Sequence, residues 1–178
     1  MKLPDDLRIY EMMEKITNIL GITTSYMTKI PAGGVSFLAR FMMASIFWKS
    51  AITKIAFEED GLSEFSLAQI WNVVTLNWTV SDSTYMLFEY EYMLPVVPSE
   101  LGAHMALTAE ILLPMALIFG LLTRYSALAL LGMTGVIQIF VYPHLWSVHG
   151  LWAIALLVIM VHGGGRLSVD NFLCKKCL

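Results

Sequence analysis

Glu110 is the residue in this chain most able to do chemistry. From Pro98 to His162 the only charged residues are Glu100, Glu110 and Arg124. An acid this deep in an apolar stretch costs about 2.5 to 3.5 kcal/mol on insertion scales, so it pairs with a partner or serves a pathway. Four positions later, Pro114 has no N–H for the carbonyl of residue 110. A carboxyl group, a freed carbonyl and a kink therefore coincide at one level. The expected partner is Arg40. With Ala44, Phe47, Ala51 and Lys54 it follows steps of four and three along one helical stripe, and the alanines let a neighbouring helix approach closely. At about 1.5 Å per residue, Arg40 and Glu110 lie roughly 12 and 18 Å from the same membrane edge. Gly135, Gln138 and Tyr142 share a face of another apolar segment, with Gln138 near the depth of Glu110. Arg40, Glu110 and Gln138 are thus expected to form one buried polar cluster, serving either as a structural ion pair or as a proton-handling site.

Other candidates carry weaker patterns. His104, His144 and His149 fall toward one side with Met86, Met93 and Met105, and imidazole with soft sulfur suits copper. No ligand spacing repeats, however, and Met also fills apolar cores, so no metal is expected. Cys174-Lys175-Lys176-Cys177 places two thiols beside lysines, which lower thiol pKa; the plainer reading is a tail with incidental cysteines. Gly163 to Arg166 is not a phosphate loop, because no strand precedes it and no helix start follows it. No flavin, haem or iron–sulfur motif is evident, and nothing points to nucleic acid.

These residues need elements to hold them. The chain has 178 residues, 57% of them apolar and 14% charged, with mean hydropathy +0.68. Such a composition belongs to a single membrane domain. A bilayer crossing needs about 20 apolar residues, and four spans fit: about 32–57, 99–122, 124–146 and 148–162. Pro31 and Pro98 precede the first and second, and Gly163-Gly164-Gly165 ends the fourth. The short connections at Thr123-Arg124 and Pro143-His144 force antiparallel neighbours. The expectation is an all-α, integral membrane four-helix bundle.

Charge sets the expected orientation. Lys2, Arg8, Lys15, Lys29, Arg124, Arg166, Lys175 and Lys176 fall on one side, which places both termini in the cytoplasm. Trp48, Trp71, Trp78, Trp146 and Trp152 are expected at the opposite interface. No secretory signal is read in Met1 to Ile30, where charges interrupt any apolar core. Residues 1–30 instead suggest an interfacial helix, with Ile9, Met12, Met13, Ile16, Ile19 and Leu20 at helical spacing. Residues 31–170 form the membrane domain. Its outer segment, 58–98, is acidic, aromatic and partly helical, with a short helix expected at Ser66 to Val74, and 171–178 make a cytoplasmic cysteine tail.

Leu87-Phe88-Glu89-Tyr90-Glu91-Tyr92 followed by Pro95 and Pro98 resembles a block of the DoxX family. Glu110 continues that likeness, then Gly120-Leu121-Leu122-Thr123-Arg124-Tyr125 and Val136-Ile137-Gln138-Ile139-Phe140-Val141-Tyr142-Pro143, and finally Gly163 to Asp170. Arg40 and Lys54 match the basic positions of the family's first helix. Gly164 stands where proline is usual, and the cysteine tail lies outside the pattern. The resemblance implies a multi-pass protein of the bacterial inner membrane, among whose relatives are quinone-reducing and redox-defence subunits.

Two functional readings follow. In the first, the chain is a redox-associated subunit binding quinone. Glu110 handles a proton, Arg40 stabilises the reduced anion, Gln138 or Tyr142 orients a carbonyl, and Lys54 belongs to the same cofactor site. Electrons then require another protein, so the chain is not catalytic alone. In the second, it is a scaffold that docks a partner through Glu89, Glu91 and Tyr92. Membrane lipid is a partner in either case, and both leave room for a homo-oligomer.

Overall fold

The computed structural model describes residues 5–56, 71, 73, 75 and 78–173. Helix α1, Asp5–Met27, lies within the expected residues 1–30 and leaves Ile9, Met12, Met13, Ile16, Ile19 and Leu20 exposed. Four helices then build the bundle: α2 (Ala32–Ile52), α4 (Ser99–Phe119), α5 (Thr123–Val136, prolonged by a π-helical turn, Ile137–Val141) and α6 (Trp146–His162). Each packs on two others, giving the ring α2–α4–α5–α6. The short turns after Phe119 and Val141 enforce this antiparallel neighbour order. Helix α3, Asp82–Met86, continues as a π-helix through Tyr92, and α7, Val169–Leu173, closes the described chain.

The polarity of the bundle is that of a protein dissolved in lipid. Phe37, Phe41, Leu112, Ile139, Leu151 and Ile154 face outward, while Ser36, Arg40, Glu110, Thr134, Gln138 and His149 are buried. Among the described residues three helices, Ala32–Ile52, Ser99–Phe119 and Thr123–Val141, are long and apolar enough to cross a membrane, and Trp146–His162 is a shorter apolar helix. The expected all-α membrane bundle is present. Among the described residues it is joined by a two-residue antiparallel pairing, β1 (Ile55–Ala56) with β2 (Thr79–Val80).

The two ends of the bundle are fastened differently. At the basic end the segment 163–170 ties the helices together. Ser36 donates to the Gly163 carbonyl, Arg40 Nη2 donates to the Leu167 carbonyl at 2.8 Å, and the Asp170 N–H donates to Gly120 O at 2.9 Å. The Asp170 carboxylate accepts from the Leu122 and Thr123 N–H groups and from the Thr123 hydroxyl, at 2.7 to 2.8 Å. A carboxylate there satisfies orphan donors at the start of α5 and suits the positive end of its dipole.

At the opposite, aromatic end, the chain leaves α2 and enters β1 through Lys54. Its carbonyl accepts from the Ser81 N–H at 3.0 Å and from the Thr84 hydroxyl at 3.1 Å. Ser81 also caps α3, accepting from the Thr84 N–H. The strand pair and this cap hold the backbone of Lys54 against the bundle mouth. The expected helix at Ser66 to Val74 lies outside the described residues apart from helical Trp71 and Val73. Cys174 and Cys177 lie outside them too.

Candidate functional site

Lys54, not Arg40, is the partner of Glu110. Lys54 Nζ donates to Glu110 Oε2 at 2.8 Å and to Oε1 at 3.1 Å, and both residues are buried. Ser50, one turn before Lys54 on α2, joins them. Its hydroxyl accepts from Lys54 Nζ at 2.6 Å and donates to Glu110 Oε1 at 3.1 Å. The carboxylate and ammonium thus form a hydrogen-bonded triad with a serine at one level, the condition under which two buried charges hold together.

Arg40 belongs to the basic end. The stripe Arg40, Ala44, Phe47, Ala51 and Lys54 is buried along its length, as its spacing predicts, but its two cations serve different ends of the bundle. Arg40 reaches the Leu167 carbonyl and lies 5.5 Å from the Phe37 ring. Its Nε and Nη1 are buried without a hydrogen-bond partner among the described residues. The expected Arg40–Glu110 pair is therefore corrected. Counting depth from span edges treats helices as straight, parallel rods starting in one plane, and it ignores the reach of a lysine placed just beyond a helix end.

Gln138 is also placed differently. It is buried in the π-helical turn of α5, where its amide nitrogen donates to the Pro143 carbonyl at 2.7 Å and its oxygen lies 2.7 Å from His149 Nδ1. It does not join Arg40 and Glu110 in one cluster. Nothing in the helical periodicity marked the partnership with His149, because it depends on how α5 and α6 face each other. The histidines have separate surroundings. His104 Nε2 lies 2.8 Å from the Tyr85 hydroxyl, and His144 meets the Tyr142 ring edge-on. Among the described residues no three His, Cys, Asp or Glu side chains converge on a metal position.

Between the four helices and α3 lies a cavity of about 500 Å³. Its walls are mostly apolar, with Phe47, Phe88, Met105, Ala106, Met133 and Val136 among them. The polar residues Ser50, Lys54, Glu110, Tyr92, Tyr142 and His149 belong to the same lining. The cavity is thus drawn from all four bundle helices and from the π-helical continuation of α3. Ala44 packs in the core, and Gly135 is not in the lining. Trp152, expected at an interface, is half-buried in the wall, edge-on to Phe47 at 5.7 Å and tilted over His149 at 5.0 Å.

Two tyrosines join the cavity to the aromatic end. The Tyr142 hydroxyl donates to Glu91 Oε1 at 2.6 Å, and its ring meets Tyr92 edge-on at 6.0 Å. Burial pushes the Tyr92 phenol well above its ordinary range, and the hydrogen bond to Glu91 raises Tyr142. Both are therefore neutral donors at ordinary pH. Glu91 and Tyr92 have partners within the fold, whereas Glu89 is exposed on α3. Chemically, the site can hold a small, mainly apolar ring and meet its polar atoms with an ammonium, a carboxylate, phenols and an imidazole.

Residues 35–143 match the DoxX family model. The chain is also similar to an uncharacterized protein of Haemophilus influenzae, 27% identical over 158 residues, covering 80% of this chain and 85% of that protein. No solved structure matches at a significant level.

Proposed function

The chain belongs to the DoxX family of membrane proteins, and from that premise we propose that it is a redox-associated subunit binding quinone in the cavity beside Lys54 and Glu110. The observation carrying this reading is an apolar cavity of ring-holding size with a buried, hydrogen-bonded ion pair in its wall. Ligand sites combine apolar walls with a few convergent polar groups in this way. Lys54 would donate to a quinone oxygen, and Glu110 would supply or accept a proton. Reduction of a bound quinone takes two electrons and two protons, and the electrons would come from a partner redox protein. Exposed Glu89 would contribute to docking that partner at the aromatic end. Arg40 has no direct part in this reading, because its contacts lie at the basic end.

Protein purified in mild detergent is expected to retain quinone by mass spectrometry of its lipid extract, or to bind an added short-tail analogue. Lys54→Met combined with Glu110→Gln leaves no unpaired charge, so it should keep the fold and lower analogue affinity about tenfold or more, the worth of one or more hydrogen bonds. Wild-type protein with no bound quinone and no analogue binding would reject the proposal. So would a double variant that binds unchanged.

The same reading makes the chain a multi-pass protein of the inner membrane, with both termini in the cytoplasm and lipid around the bundle and under α1. The excess of basic residues at one end supports that orientation. In a background with Cys174 and Cys177 replaced by serine, Ser83→Cys is expected to react with a membrane-impermeant thiol reagent in intact cells. The native cysteines should react only after permeabilisation. The opposite pattern would invert the topology.

A further inference from the structure

We propose that His149 supplies the second polar contact of the cavity, a bare Nε2 lone pair that accepts a hydrogen bond from the ligand, and that Gln138 is the positioning residue fixing it. This rests on reading the cavity as a quinone site. The argument begins at Pro143, whose carbonyl can only accept. Gln138 Nε2 lies 2.7 Å from that oxygen, so the amide NH2 is committed there and the amide oxygen must face His149. The reverse placement would set two oxygens against each other, which settles the orientation chemically. That amide oxygen is 2.7 Å from His149 Nδ1, so Nδ1 carries the hydrogen. A neutral imidazole has one N–H, and the other nitrogen is then an acceptor. Among the described residues Nε2 has no hydrogen-bond partner, and His149 is part of the cavity lining.

The two halves of the site thus differ in kind. The turn after α2 contributes Lys54, a donor, beside Glu110 of α4. Helices α5 and α6 contribute the Gln138–His149 pair, whose histidine is part of the cavity lining and offers Nε2 as the acceptor. A ligand satisfying both must accept at one oxygen and donate at another. A hydroquinone does so, since a phenolic hydroxyl can donate to Nε2 while another oxygen accepts from Lys54. A fully oxidised quinone has only carbonyl oxygens and leaves Nε2 unsatisfied. The site is therefore built to hold the reduced form of the carrier more firmly than the oxidised form.

Two measurements test this. In protein with 15N-labelled histidine, the NMR signal removed by His149→Phe should be that of a neutral Nδ1–H tautomer, and its Nε2 shift should move on adding a short-tail quinol. The quinol, kept reduced, should bind about tenfold tighter than its quinone, the worth of one hydrogen bond. His149→Phe should abolish that preference while quinone affinity changes little. Gln138→Leu, which removes the acceptor at Nδ1, should release the tautomer and the preference together while quinone affinity changes little. An Nε2–H tautomer in the unaltered protein would overturn the proposal, as would a preference surviving in His149→Phe. If neither form binds, the quinone reading itself fails, and the tautomer still decides the geometry.

Discussion

Glu110→Gln alone is expected to destabilise the bundle by about 3 to 5 kcal/mol, the cost of leaving a buried partner charge uncompensated. The partner is Lys54, held 2.8 Å from the carboxylate in a site almost closed to solvent. Lys54→Met should cost a similar amount by stranding the carboxylate. Removing both charges together should recover most of the loss, since a buried pair replaced by neutral groups is often close to neutral overall. Unfolding in mixed detergent micelles, monitored by circular dichroism, can measure the cycle. Arg40→Met should combine with Glu110→Gln additively to within about 0.3 to 0.5 kcal/mol, because the two residues share no partner. Coupling between Arg40 and Glu110, with none between Lys54 and Glu110, would overturn this assignment of partners.

Gly120→Ala should be comparably severe, by a different mechanism. Gly120 adopts φ +67°, where a non-glycine residue carries strain of order 1 to 3 kcal/mol. An added Cβ would also overlap Arg40 Nη1 and Ser168 Cβ, and would come within 2.8 Å of Ser168 Cα. None of these can retreat cheaply. Arg40 is tied to Leu167, Ser168 donates to the Gly165 carbonyl at 2.7 Å, and Asp170 N–H is bonded to Gly120 itself. Overpacking adds about 1 to 3 kcal/mol, so a total loss of roughly 2 to 6 kcal/mol is expected. Gly132 on α5 is the control, since a Cβ there meets nothing within 4 Å. Gly132→Ala should be neutral or stabilising by up to about 1 kcal/mol. Equal melting temperatures for the two alanine variants would show that the 163–170 segment does not lock the basic end.

The sequence by itself determined the solvent and the architecture. A run with almost no charge, long enough for several crossings, admits few solutions other than apolar helices, since lipid cannot satisfy an open backbone. The prolines at 31 and 98 and the glycines after 162 then marked where helices begin and end. The buried stripe from Arg40 to Lys54 was legible for the same reason, because its period is a local property of one helix. So was the importance of Glu110, because a lone acid in apolar surroundings must find a partner wherever it lies.

Which partner it finds is a different kind of question. Arg40 and Lys54 lie on one stripe and look equivalent in one dimension, yet Lys54 meets Glu110 and Arg40 meets the 163–170 segment. The choice depends on where α4 crosses α2, and on the strand pair and Thr84 cap that pin Lys54 at the mouth. Gln138 likewise turned from Glu110 to His149 through a π-helical turn, which changes the angle of a side chain without any composition signal. The cavity needs contributions from four helices and from the π-helical continuation of α3, across just over a hundred residues of chain. Helical periodicity is a local energy term written in every few residues, whereas pairing among buried polar groups is decided by packing between distant segments, and only the tertiary structure holds that information.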